Sequence, residues 1–476
     1  RALVALGGAG LPRAGEIGLD TRVIAFTALV TVATGLLFGI APALRASRPR
    51  LAAALREGGR GTTAGARQYR LRDILVASEF ALALVLLAGA GLAIRTVIAL
   101  RQIDPGFDPR GVVTMVVSYT GSSVGSPARR VGFMEDLIDR LNALPGVARA
   151  SAINHVPIVG DLWGMGFFVE GRAVPKTGDV PTAAYRVVLP GYFAAMGIPV
   201  RAGRDVARSD RLGAPPVVVI NEYMARKHWP GESAIGKRIT FDRPSGASTW
   251  MTVVGVVKNA VRSDWAAPPS EEVYVPWLQE GNYLTNTAPH VGYMSLVVRA
   301  NCGPRPDCDA ASLAPAVRAA VWSFDRNLPV AEIRTMDQVV SEANARPRFT
   351  LVLLGAFAAV ALVLAAVGVY GVMTYAVSRR LHEIGVRLAL GAEPFTVVRM
   401  VVREGMSVAF TGAAIGVVGA LLLTRSMSGF LYGVRSGDPL TFVGVSLLLI
   451  AAALVATYIP ARKAARTDPL LALRSE

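Results

Sequence analysis

A polar, basic stretch, SRRLHEIGVRLALGAEPFTVVRMVVREG at residues 378–405, is wedged between two long runs that carry no charge, Phe349 to Val377 and Gly405 to Thr424. Each run matches or exceeds the roughly 20 residues a helix needs to cross a bilayer. The stretch between them is therefore a short turn at a membrane face. Arg379, Arg380, Arg387, Arg399 and Arg403 outnumber Glu383, Glu393 and Glu404 within it, and short basic loops stay in the cytoplasm. Ile384, Leu388 and Ala392 recur at helical spacing, with Glu383 and Arg387 four apart on a neighbouring face. The spacing predicts a short amphipathic helix along the inner membrane surface. The alternative is a solvated connector.

Composition agrees with a membrane protein. Of 476 residues 52% are hydrophobic, and the mean hydropathy is +0.43, too apolar for an ordinary soluble chain of this size. The net charge of +16 would suit nucleic acid, but its placement argues otherwise. Segments 45–73, 378–404 and 462–476 flank the apolar runs on one side and hold seventeen Lys or Arg against seven Asp or Glu. That is the positive-inside signature, with attraction to anionic headgroups. Basic residues interleaved with aromatic ones for base stacking are not found, so nucleic acid is set aside.

The chain divides accordingly. Residues 1–44 end in a first span, Val23 to Leu44, with a small-xxx-small face at Gly35 and Gly39. Residues 45–73 read as a flexible cytoplasmic linker and 74–100 as a second span holding Glu79. A proton relay through Glu79 would need a chain of buried acids that the sequence does not supply. Residues 101–348 read as one water-soluble block. GVVTMVVSYT, ARRVGFMEDLIDRLNAL and VARASAINHV make one β-α-β unit; YMSLVVRA, SLAPAVRAAVWSFD and LPVAEIRTM make another. These units (101–156 and 290–348) form one lobe, and 157–289 an inserted, mostly β lobe. Residues 349–461 hold three further spans, with Gly412-Ala-Ala-Ile-Gly416 in the middle one, and 462–476 is a basic tail. The fold class expected is an α-helical membrane protein with a large extracytoplasmic α+β domain. Five alternating spans place all basic segments inside and 101–348 outside.

The chain also repeats itself. Pro42-Ala43-Leu44-Arg45-Ala46-Ser47-Arg48 and Leu55-Arg56 align without a gap on Pro460-Ala461-Arg462-Lys463-Ala464-Ala465-Arg466 and Leu473-Arg474, and the same offset sets Asp20 on Asp438. The first span thus corresponds to the last, and a preceding copy of the module is expected upstream of residue 1.

Catalytic motifs are weak. Gly231-Glu-Ser-Ala-Ile-Gly236-Lys237 is followed by Arg238, not the Ser or Thr that holds magnesium in a P-loop. Gly121-Ser-Ser123-Val-Gly125 fits a nucleophile elbow, but Ser126-Pro127 intervenes before the helix. Four His and two Cys offer no metal-ligand cluster. Cys302 and Cys308, in NCGPRPDC, suit a local disulfide in an oxidising exterior; two free thiols are the alternative.

EIGVRLALGA at 383–392, PGYFAAMGIPVRAGRD at 190–205, NEYMARKHWPGESAIGKRI at 221–239, RPRFTLVLLGAFAAVALVLAAVGVYGV at 346–372 and YIPARKAARTDPLLALR at 458–474 resemble the FtsX-like/MacB-like permease family of ABC transporters. The resemblance covers nearly the whole chain. It implies a permease subunit of the duplicated orphan kind, in the bacterial inner membrane, exporting a cargo or transmitting mechanical work. It also implies porter-like and sabre-like lobes outside. Glu383, Ile384, Gly385, Arg387, Leu388, Gly391 and Ala392 would form the segment that couples to an ATPase. No cofactor is expected on this chain: with no Walker A motif in these residues, ATP is expected on a separate ABC ATPase partner. A second FtsX-like unit, on the same chain or in a homodimer, and the lipid bilayer are the other expected partners. An ATPase-independent scaffold or sensor is the alternative, and a membrane-anchored enzyme a third class.

Overall fold

The computed structural model describes the chain except for residues 1–19, 47–62, 160–162, 177, 262–267, 303–308, 344, 380–383, 388–389, 391–392, 427–433, 436 and 467–476. It forms two compact units: residues 1–99 with 345–476, and residues 100–344.

The first unit is helical: α1 (Thr21–Ala46), α2 (Thr63–Gln102), then, late in the chain, Ala345–Arg379, Pro394–Ser426 and Pro439–Ala465. Four stretches are long and apolar enough to cross a membrane: Asp73–Leu100, Arg348–Ser378, Pro394–Arg425 and Pro439–Ala465. The sequence predicts five spans; four are found among the fully described residues, and the first predicted one, Val23 to Leu44, falls on α1, a single helix of 26 residues. It also predicts a flexible linker up to residue 73, whereas α2 already begins at Thr63. Arg, Gln, Leu and Ala between Ala66 and Leu71 are good helix formers, and the adjoining span supplies the nucleus that a short helix lacks.

Small residues let these helices approach. A Cβ on Gly412 would lie 2.5 Å from the Ala77 carbonyl oxygen and 2.6 Å from the Phe80 Cβ. One on Gly416 would lie 2.9 Å from both the Ala81 oxygen and the Leu84 Cβ. Gly412 and Gly416, four residues apart, thus mark where this helix meets α2. Asp438 caps the last helix, accepting from the Thr441 amide at 2.9 Å, and Arg95 of α2 pairs with the same carboxylate.

The second unit is built on one sheet of twelve described strands. In chain order they are β1 (Val112–Ser118), β2 (Val147–Ile153), β3 (Gly164–Gly166), β4 (Phe168–Val169), β5 (Thr182–Val188), β6 (Val200–Gly203), β7 (Val217–Asn221), β8 (Arg238–Thr240), β9 (Met251–Val257), β10 (Glu272–Pro276), β11 (Tyr293–Ala300) and β12 (Val330–Thr335). The order across the sheet is β12-β1-β11-β2-β5-β10-β7-β9-β8-β4, with β3 beside β5 and β6 beside β9. Both β-α-β units are present, with helices α3 (Pro127–Asn142) and α7 (Ala314–Trp322), the short helices α4 (Tyr192–Met196), α5 (Glu222–His228) and α6 (Gly281–Thr285) lying between them. They interlock: β11 lies between β1 and β2, and β1 between β11 and β12, all antiparallel. This is the split β-α-β, ferredoxin-like arrangement. The inserted strands continue the same sheet across the single pair Ile153↔Val188. Buried Asn154 staples that join, accepting from the Val187 amide at 3.1 Å while its own amide donates to Val187 O at 3.0 Å. One hydrophobic core serves both halves, with Phe133, Leu137 and Leu296 at one end and Val218, Val253 and Val273 at the other.

Cys302 is disulfide-bonded; Cys308, its expected partner, lies outside the described residues. A bridge from Cys302 to Cys308 would close so short a loop that its stabilisation should lie at the low end of the disulfide range, about 2 kcal/mol. Alkylation without reductant is expected to add no mass to the intact protein. Two added labels would show free thiols.

Candidate functional site

The turn between the third and fourth long helices carries the candidate site. The helix Ala345–Arg379 ends, residues 384–387 form a further helical turn, and the next helix opens at Pro394. Proline suits a first helical turn, where its missing N–H costs nothing. The Thr396 amide donates to Glu393 O at 2.9 Å, closing that start.

Of the seven residues expected to act here, Glu383, Leu388, Gly391 and Ala392 lie outside the described residues. The other three divide. Ile384 is 1% exposed and belongs to the core of the helical unit, together with Val377, Val397, Val401 and Ala461. Gly385 is buried beside it, and Arg387 is exposed, its guanidinium donating to Met400 Sδ at 3.2 Å. Ile384 therefore ties the turn to its own bundle. The apolar groups the turn presents outward are others: Val386, Leu390 at 83% exposure and Phe395 at 71%. The sequence holds a signal for them, apolar side chains in a charged turn, but alternation of this kind does not tell the inward face from the outward one.

The rejected motifs have ordinary structural roles. In the loop at 231–237, the Gly236 amide donates to Val253 O and the Lys237 amide to Ala234 O, while Lys237 Nζ pairs with Glu232 at 2.7 Å. These amides hold the loop and do not form a phosphate cradle. The Ser123 hydroxyl donates to Asp325 at 3.0 Å, which staples a loop; a nucleophile needs a base there. Among the described residues no group of three or more His, Cys, Asp or Glu could hold a metal ion.

Comparison with known proteins adds two matches to family models. Residues 355–469 match the FtsX-like permease C-terminal family, and residues 81–320 match the MacB-like periplasmic core domain, half of the chain. The Macrolide export ATP-binding/permease protein MacB of Nitrosomonas europaea is 25% identical over 403 residues, 82% of this chain and 56% of that protein. The Pyoverdine export ATP-binding/permease protein PvdT of Pseudomonas putida is 34% identical over 143 residues, 30% of this chain and 22% of that protein. The chain spans about half the length of the MacB relatives it matches, between 41% and 56%. The periplasmic region of MacB from Actinobacillus actinomycetemcomitans aligns with 14% identity and a TM-score of 0.32 over 51% of this chain and 95% of its own, too low a score to carry an argument.

Proposed function

We propose, from the premise that this chain belongs to the FtsX-like and MacB-like family of ABC transporter permeases, that it converts the movements of a partner ATPase into movement of its external domain, for export or mechanical work. The relatives' names speak of export and of ATP binding, which supports a transport role. The observation that carries the reading is the division of labour in the turn. Ile384 is locked in the helical core, whereas Val386, Leu390 and Phe395 stand outward beside Arg387. A partner gripping the outward residues would pull on Ile384, and through it on the two long helices as rigid levers.

In this reading the turn faces the cytoplasm of a bacterial plasma membrane, residues 101–348 lie outside, and a second FtsX-like unit completes the machine, on the same chain or as a homodimer. ATP is bound by the partner subunit. The membrane orientation is testable: an impermeant thiol reagent should label Ser209→Cys in intact spheroplasts, and Ser378→Cys only after lysis. The reverse pattern would overturn it.

Docking is tested by co-purification of the ATPase with full-length variants at equal expression. Glu383→Ala with Arg387→Ala, and separately Leu390→Ala with Phe395→Ala, should each weaken recovery by about 1–3 kcal/mol of binding, as for residues buried in an interface. Both pairs should still insert and fold, since Arg387, Leu390 and Phe395 are exposed. Undiminished recovery would make the turn a solvated connector and favour an ATPase-independent scaffold.

A further inference from the structure

We propose that the external domain carries a binding site for apolar amines, in a cavity of about 530 Å³ on the sheet face opposite α3 and α7. This goes beyond the coupling role and does not depend on it. Residues alternate along β1: Met115 and Val117 enter the core beneath α3, so Thr114, Val116 and Ser118 face the other way, into the cavity. The volume falls in the range of small-molecule sites.

The walls set the chemistry of the occupant. Val116, Val156 and Val339 give apolar surface. His155 stands between two rings, with centroids 5.4 Å from Trp163 and 5.7 Å from Tyr293, and its Nε2 lies 2.6 Å from the Tyr293 hydroxyl. The floor is rich in acceptors. Thr114 donates its hydroxyl to Arg334 O, Ser118 to Gly292 O and Ser295 to Asn154 O. A hydroxyl whose single proton is engaged can only accept from a ligand. Of the lining residues Glu332 and Arg334 are charged, and Arg334 is shared between Glu332 at 2.5 Å and, behind it, Glu342 at 3.1 Å, two carboxylates for one guanidinium. Acceptors, ring faces and a surplus of negative charge together select a donor-bearing cation with an apolar body, that is, an organic ammonium.

The backbone singles out the same place. Among the described residues, two besides glycine have positive φ: Ile158 at 75° and Glu332 at 52°. Glu332 lines the cavity, and Ile158 stands between the lining residues Val156 and Val159. A β-branched residue in this conformation is a true outlier, and such strain gathers where side chains are aimed at ligands.

The test uses full-length protein in nanodiscs and three probes that share an indole body: tryptamine, tryptophol and indole-3-propionate. Affinities are read by ligand-observed NMR, net of binding to empty nanodiscs. Tryptamine should bind about tenfold more tightly than indole-3-propionate, with tryptophol between them. Glu332→Gln and Glu342→Gln should each shrink the preference for tryptamine and leave tryptophol unchanged. Val116→Trp, which fills the cavity, should abolish binding of all three. Thermal unfolding of each variant shows that it is folded, and the order of the three probes on the unaltered protein stands whether or not a variant folds. Equal affinities, a preference for the carboxylate, no binding, or an ammonium preference that survives both Gln variants would overturn the proposal.

Discussion

Glu272→Ala is expected to destabilise the external domain by about 3–5 kcal/mol, a large part of what holds a domain folded. Glu272 on β10 and Arg186 on β5 are 3% and 2% exposed and stand 3.6 Å apart. Arg186 also donates to His155 O at 3.3 Å, and the Tyr274 hydroxyl donates to Glu272 at 3.0 Å. Removing the carboxylate takes away the buried charge that faces the Arg186 guanidinium, so less of its desolvation is offset. All six tryptophans fall between residues 100 and 344, so tryptophan fluorescence during thermal unfolding of the full chain reports this domain. For a domain this size the loss corresponds to a fall of about 10 °C in Tm. The double variant Arg186→Met with Glu272→Leu should recover most of it, because it removes both buried charges together. A single variant that melts like the parent would show that the pair is solvated in the working protein.

Gly412→Val and Gly416→Val are each expected to destabilise the helical unit by about 1–3 kcal/mol, and more in combination. The atoms in the way are the backbone oxygens of Ala77 and Ala81, which cannot move without moving α2. Gly444, on the last helix, has nothing within 4 Å of an added Cβ, so Gly444→Val is the control. Titration with SDS, followed by far-UV circular dichroism, should show an earlier transition for the first two variants and an unchanged one for the control. Equal midpoints for all three would mean that the helices do not pack through these glycines.

The long elements are the legible ones. Runs without charge can only be helices in hydrocarbon, because there each backbone group must find its partner within the segment. The longer strands, such as Val112–Ser118 and Tyr293–Ala300, announce themselves by β-branched residues bounded by turns. The strands β3, β4, β6 and β8 have between two and four residues, too few for any period to show. In the candidate coupling turn the sequence reading places Ile384 on a surface for a partner. The structure buries it and turns Leu390 and Phe395 outward. A turn flanked by apolar structure on one side and by a partner on the other is apolar on both, so period alone cannot assign the faces.

By itself the sequence determined where the long apolar helices lie, which segments are basic, and that a long polar block separates the second apolar run from the third, because charge and hydropathy act locally and are written in consecutive residues. Only the tertiary structure decided that β11 slots between β1 and β2, that the inserted strands join the same sheet through Ile153 and Val188, and that Glu272 meets Arg186. Those pairings join residues far apart in the chain. They are chosen by how side chains fill a shared core, and no local pattern carries that information.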